Sequence, residues 1–246
     1  MSTGRVVVIT GASRGIGLAT AGAFAREGDR VILAARSEEA LAAAERQIRS
    51  EGGKAWHWSG DLTDPVACNE LFAWTAGTVG EVDICVMSAG LGHWVPTAEM
   101  SDETWHETMA LNLDAVFATT RAALGQMLPR RAGHLVFISS LLGRRGVPNM
   151  AAYSASKAAV AAFGESVAAE VKASGIKVTV LYPGTAATTM RDHQLRRPRT
   201  PDITDPELQL DPDEIAESIV WVTKRSPRAY PTALFLEPRG SPGTPR

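Results

Sequence analysis

Short runs of consecutive apolar residues alternate along the chain with longer stretches in which apolar residues recur every three or four positions. The runs Val6–Thr10, Arg30–Ala35, Ala55–Ser59, Val82–Met87, His134–Ser139, Lys177–Tyr182 and Leu234–Leu236 predict seven strands. The stretches near 15–27, 38–50, 65–78, 102–127, 152–173 and 213–224 predict helices between them. This alternation predicts an α/β protein with one doubly wound sheet, mostly or fully parallel, flanked by helices on both faces. No Pro/Gly/Ser-rich linker divides the 246 residues, so residues 1–238 read as a single domain. Residues 239–246, rich in Gly and Pro, read as a flexible tail.

Composition narrows the function. With 45% hydrophobic residues the chain can bury a sizeable core, and a net charge of −2 makes no electrostatic case for nucleic acid. Two cysteines, Cys68 and Cys85, form no disulfide framework and suit a reducing compartment. Met1 passes into a strand within a few residues, so no signal peptide is expected. No apolar run approaches the roughly 20 residues of a membrane span. The expected place is cytoplasmic, with no membrane contact. The five histidines show no metal-ligand spacing, so no metal is expected. His57, between Trp56 and Trp58, reads as strand packing.

Two segments carry chemistry. In Tyr153-Ser154-Ala155-Ser156-Lys157 the first and last residues stand four apart and share a helix face. A phenol beside an ammonium is expected to have a lowered pKa and to act as a proton donor and acceptor. In Thr10-Gly11-Ala12-Ser13-Arg14-Gly15-Ile16-Gly17 a glycine-rich turn joins a strand to a helix. Glycines let the backbone approach a pyrophosphate, and the N–H groups of the helix start bind it.

Together these segments resemble the short-chain dehydrogenase/reductase family, in its NADP-dependent carbonyl reductase form. The resemblance runs from Val6 to about Lys224 and includes Asp61-Leu62, Asn112, Ser140, and Pro183-Gly184 with Thr188. Two departures stand out. The family's Asn-Asn-Ala-Gly reads Met87-Ser88-Ala89-Gly90, which bears on how the sheet is held. The C-terminus lacks a Gly-Gly-rich ending, which favours small-molecule reductases over those of fatty-acid elongation.

The resemblance implies a Rossmann-type fold and a catalytic set of Asn112, Ser140, Tyr153 and Lys157. Tyr153 would protonate the alkoxide as hydride arrives from the nicotinamide. Lys157 would lower the tyrosine pKa and hold the nicotinamide ribose. Ser140 would donate a hydrogen bond to the carbonyl oxygen. Asn112 would mark a helix break that seats a proton-relaying water; by itself it reads as a core asparagine paired to backbone. The implied cofactor contacts are Gly11, Ser13, Arg14, Ile16 and Gly17 in the first turn, then Arg36 and Ser37 after the second strand. Asp61 and Leu62 follow the third strand, Ala89 and Gly90 the fourth, and Pro183, Gly184 and Thr188 the sixth. Asp61 would accept from the adenine amine, although a helix-capping role is its alternative.

The residues also bear on which cofactor. The second strand ends Ala35-Arg36-Ser37 with no acid before Glu38, and Arg14 and Arg36 suit a 2′-phosphate, so the expected cofactor is NADP(H). Trp94, Leu142 and Met190 are candidate substrate-pocket residues. Residues 189–210 fall where the family has a substrate lid. The alanine-rich helix from Ala151 to Val171 suits close helix packing, and the family implies a homodimer or homotetramer. The expected activity is reduction of a small-molecule ketone or aldehyde to an alcohol. Reduction of a carrier-bound 3-oxoacyl or polyketide chain is the alternative within enzymes, and a non-catalytic NADP(H) sensor is the alternative of another class.

Overall fold

The computed structural model describes residues 4–188 and 208–239. Seven strands pair in the order β3-β2-β1-β4-β5-β6-β7, every pair parallel. They are β1 (Val6–Thr10), β2 (Arg30–Ala35), β3 (Lys54–Ser59), β4 (Ile84–Met87), β5 (Gly133–Ile138), β6 (Ile176–Pro183) and β7 (Ala233–Leu236). The helices are α1 (Gly15–Arg26), α2 (Glu38–Ser50), α3 (Pro65–Thr78), α4 (Asp102–Met109), α5 (Ala115–Arg130), α6 (Ala151–Val171) and α7 (Pro212–Thr223). The sheet is thus fully parallel.

Side chains along β1 alternate between the two cores that such a sheet needs. Val6 and Val8 face a cluster with Leu71, Phe72, Ala118 and Val160 of α3, α5 and α6. Val7 and Ile9 face one with Phe24, Leu41, Ile215 and Ile219 of α1, α2 and α7. Full burial of such an aliphatic side chain contributes about 1.5–3 kcal/mol, so the two clusters fix the layers. Helix starts are set locally. Ser37 accepts from Ala40 N at 3.4 Å, Asp64 from Val66 N at 2.8 Å, and Asp211 closes a capping box with Glu214. Asp64, followed by Pro65, therefore caps α3, and Asp61 does not.

Two sequence expectations change. β4 begins at Ile84 rather than Val82, because the Val82 N–H is taken by the Gln126 side chain at 2.9 Å. The helix expected over 102–127 is not continuous. A π turn, Ala110–Asp114, separates α4 from α5 and carries Asn112. One extra residue in a turn leaves apolar periodicity almost intact, so the pattern hides the break.

β1 lies between β2 and β4, so the strand order reverses there and opens a crevice beyond the carboxyl ends of those strands. At the opposite end of the sheet, His134 is 2% exposed. The Thr179 hydroxyl donates to the Pro231 carbonyl at 2.7 Å, so it accepts from His134 Nε2 at 2.9 Å. Nδ1 has no hydrogen-bond partner among the described residues. Burial, with Lys177 and Arg5 nearby, lowers the imidazole pKa to about 3. The unfolded chain therefore binds this proton more readily than the folded one, and stability is lost as pH falls from about 6.5 towards 3. Urea unfolding is expected to show a lower midpoint at pH 4.5 than at pH 7. The loss is expected to shrink in a His134→Gln variant, even though that variant starts less stable. Equal losses in both proteins would contradict this assignment.

Candidate active site

The site is assembled at the carboxyl end of β5 and the start of α6. Lys157 is 4% exposed, and its Nζ donates to the Ile138 carbonyl at 2.8 Å. Nζ lies 5.8 Å from the centre of the Tyr153 ring. The Tyr153 phenol is hydrogen-bonded to the Ser140 side chain. Ser140 is held by its own turn, because its hydroxyl accepts from Leu142 N at 3.1 Å. The adjacent Ser139 faces elsewhere and donates to the Lys157 carbonyl at 2.8 Å. Two neighbouring hydroxyls thus have different tasks: Ser140 meets the phenol and Ser139 ties the turn to α6.

Asn112 is fully buried in the π turn. Its Oδ1 accepts from Leu91 N at 2.8 Å, and its Nδ2 donates to Leu91 O at 2.8 Å and to Ser156 Oγ at 2.9 Å. Ser156 in turn donates to the Tyr153 carbonyl at 2.8 Å. The asparagine therefore locks the loop after β4 to the helix that carries Tyr153 and Lys157. A Cβ placed on Gly90 would lie 3.2 Å from Asn112 Oδ1 and 3.3 Å from Lys157 Nζ. Asn112, Gly90 and Lys157 therefore converge on one spot.

The charges differ from the expectation that Lys157 lowers the tyrosine pKa. Burial raises the Tyr153 pKa above 10, and the Ser140 hydrogen bond offsets this only in part. Burial lowers that of Lys157 to about 8. The amine faces a backbone carbonyl, and the resting phenol is a protonated acid.

The crevice beyond β1 and β4 is lined by backbone. Gly11 has φ +67°, and a Cβ on it would come within 2.7 Å of Ala89 Cα. A Cβ on Gly17 would sit 2.4 Å from the Gly11 carbonyl. These two positions require glycine. Thr10, buried beneath the turn, accepts from both Ser88 N and Ala89 N at 3.1 Å. It anchors the loop whose first family asparagine is absent. Met87 fills that place in the core, with its sulfur 3.2 Å from the Thr120 hydroxyl.

Ser13 and Ile16 follow in the turn and at the start of α1, and Arg14, exposed, immediately precedes that helix. Arg36 is exposed at the end of β2, and Ser37 caps α2. The Asp61 pKa is lowered first by hydrogen bonds from Thr63 and also by Arg36, so these two charged groups share one corner. Leu62 is buried beside Ala89. Across the crevice, Pro183 ends β6, Gly184 N donates to Leu236 O at 2.7 Å, and the Thr188 methyl lies 3.3 Å from a Cβ placed on Gly15. Of the expected cofactor residues, the structure brings Gly11 to Ala89, the turn at Gly15 to Thr188, Gly90 to Lys157 and Arg36 to Asp61.

Trp94 and Leu142 are both half-buried, and Leu142 lies in the turn that holds Ser140. Met190, and the segment 189–210 expected to be a substrate lid, as far as residue 207, lie outside the described residues. Among the described residues, no cluster of His, Cys, Asp or Glu is placed to hold a metal. Thr10 and Ser156 were not singled out by sequence reasoning. Thr10 and Ser156 stand inside the two chemistry-bearing segments, which was the available signal.

A glycine-lined crevice that ends at a phenol, a hydroxyl and a buried amine is the site of a dinucleotide-dependent oxidoreductase acting on a C–O centre. The family model for short chain dehydrogenase matches residues 5–198, and the chain belongs to that family. It is 33% identical over 231 residues to the 3-oxoacyl-(acyl-carrier-protein) reductase of Synechocystis sp., covering 94% of this chain and 93% of the relative. It is 32% identical over 242 residues to glycine betaine reductase ATRR of Emericella nidulans, covering 98% of this chain but only 19% of that longer protein. Among solved structures it is similar to a variant of actinorhodin polyketide ketoreductase with NADPH. That likeness has a TM-score of 0.90 at 32% identity and covers 97% of this chain and 98% of the other.

The two serines give a test. Ser140→Ala is expected to lower kcat about 10²-fold, the scale for loss of a donor to a developing oxyanion, and to cost about 1 kcal/mol of stability through its lost cap on Leu142 N. Ser139→Ala is expected to cost about 1 kcal/mol of stability, the scale of one hydrogen bond, with a smaller effect on kcat. Steady-state kinetics and urea unfolding of both variants check this, and reversed effects on kcat would exchange the assignments.

Proposed function

We propose that the protein is an NADPH-dependent reductase that converts a ketone or aldehyde into an alcohol. The observation that carries the reading is the Tyr153 phenol, hydrogen-bonded to Ser140 and one helical turn from buried Lys157, at the end of the glycine-lined crevice. When bound, the nicotinamide supplies a hydride to the carbonyl carbon. Ser140 and Tyr153 hold the carbonyl oxygen, and the Tyr153 proton passes to it as the C=O electron pair moves onto oxygen. The resulting phenolate is stabilised by Lys157, which would also hold the nicotinamide ribose. Asn112 fixes the loop against which Lys157 rests. Arg14 and Arg36 would take the 2′-phosphate, with Asp61 and Leu62 beside the adenine. The phosphate reading is supported by two guanidinium groups at a strand end that lacks an acid, and the similar ketoreductase is described with NADPH.

A carrier-bound 3-oxoacyl or polyketide chain is the second reading. It is favoured by the names of the Synechocystis and actinorhodin relatives. A sensor without turnover is disfavoured by the retained Tyr153 and Lys157. Exposed Trp105, Phe117 and Leu128 on α4 and α5 support self-association into a homodimer or homotetramer. No helix among the described residues is long and apolar enough to cross a membrane. Both cysteines are unbridged and buried, in keeping with a cytoplasmic place.

An NADPH-oxidation screen over ketones, aldehydes and acyl thioesters separates the readings: turnover restricted to thioesters would favour the second, and none at all would overturn both. NADPH is expected to bind at least tenfold more tightly than NADH, which is about 1.4 kcal/mol, and Arg36→Ala is expected to remove most of that gap. Tyr153→Phe is expected to keep NADPH binding and lose roughly 10² or more in kcat. Fluorescence titration and single-substrate kinetics provide both measurements. A Tyr153→Phe enzyme working at the normal rate would place the proton donor elsewhere.

A further inference from the structure

The exposed corner that holds Arg36 also contains an acid. Glu38 follows Arg36 by two residues and stands at the first position of α2. A carboxylate there is long enough to turn back towards Arg36 or outward to the neighbouring strand. It turns to β3. Glu38 Oε1 lies 2.7 Å from His57 Nε2, and the Ser59 side chain also hydrogen-bonds it. His57 is therefore more than strand packing.

The other ring nitrogen of His57, Nδ1, faces a second carboxylate, Glu45 Oε2. A carboxylate only accepts, so a ring with a carboxylate on each nitrogen satisfies both only as the doubly protonated imidazolium. Glu45 has a further partner, because Arg49 Nη2 reaches its other oxygen at 2.8 Å. Among the described residues, the charge that acts on Glu38 is that of His57.

We propose that His57 is a positioning residue for cofactor choice, which pins the Glu38 carboxylate to β3 and so keeps it away from the phosphate site formed by Arg36. The inference rests on the assignment of Arg36 to the 2′-phosphate. A released Glu38 would pair with Arg36 and repel the phosphate, while a cofactor without that phosphate would be little affected. The charged groups facing the ring are Glu38 and Glu45 of α2, with Arg49 acting through Glu45. On the β2 side the register places Leu33 opposite His57, and the next residue is Ala34.

A pH dependence follows. Burial opposes the charge on His57, yet the hydrogen bonds to Glu38 and Glu45 outweigh it, and the pKa is raised above 6.5. The clamp is thus intact below that value and lost as pH rises through the raised pKa. A neutral ring keeps one N–H. Glu45, whose side chain is 15% exposed against 63% for Glu38, needs it more, so Glu38 is the one released.

Fluorescence titration gives dissociation constants for NADPH and NADH without turnover. His57→Ala is expected to weaken NADPH about three- to tenfold and to leave NADH unchanged. The double variant with Glu38→Gln is expected to recover most of the loss, because the neutral amide does not repel phosphate. In the unmutated protein the NADPH preference is expected to decline from pH 7 to 9, and Glu38→Gln alone is expected to flatten that profile. The single Glu38→Gln variant keeps the test alive if His57→Ala folds poorly. Equal weakening of both cofactors without rescue would reduce His57 to a support of β3 and overturn the proposal, as would an identical pH profile in Glu38→Gln. A clear NADPH preference unmoved by these variants sinks the His57 role alone. Equal affinities for the two cofactors in the unmutated protein sink the Arg36 assignment and this proposal with it.

Discussion

A lysine amine sealed inside the protein is the constraint from which the site follows. Burial of an ammonium is costly unless it is hydrogen-bonded or paired. Desolvation is the influence that lowers the Lys157 pKa, with no carboxylate contributing. The Ile138 carbonyl compensates, which requires β5 to end at Ile138 with that oxygen turned to α6. The chain must then fold back over the same helix. A Cβ on Gly143 would lie 2.8 Å from the Lys157 carbonyl carbon, and one on Gly90 would lie 3.3 Å from Nζ. Both glycines are explained by proximity to this residue. The Ser139 hydroxyl and the fully bonded Asn112 amide close the remaining gaps without adding a charge.

The layered fold was legible because burial on two faces writes itself into the strands. Val6 to Ile9 are apolar at every position, and each face takes every second one. Helix starts were legible where a cap is local, as at Asp64-Pro65 and Asp211-Pro212. The proximity of Tyr153 and Lys157 was legible because one helical turn brings them to one side. What stayed hidden depends on partners distant in sequence. His57 looked like packing because Glu38 and Glu45 are 19 and 12 residues away. Thr10 looked like part of a phosphate turn, yet its hydroxyl holds Ser88 and Ala89, 78 and 79 residues on. The missing family asparagine was a real departure. Its consequence for the sheet was not readable, because the substitute interaction comes from another strand.

The tyrosine pKa shows the same divide in energetic form. Sequence spacing supports a phenol acidified by an ammonium, but in the resting protein desolvation prevails: it raises the Tyr153 pKa and lowers that of Lys157 to about 8. In the proposed reduction at neutral pH the phenol would lose its proton to a substrate alkoxide, not to solvent. A phenolate and an ammonium with the amine 5.8 Å from the ring centre then attract by roughly 3 kcal/mol at an effective dielectric of about 20. That is about two pKa units, gained only once charge has developed. In the proposed reaction Lys157 would thus act on the state that proton transfer creates and leave the resting phenol protonated, which is the form a proton donor needs.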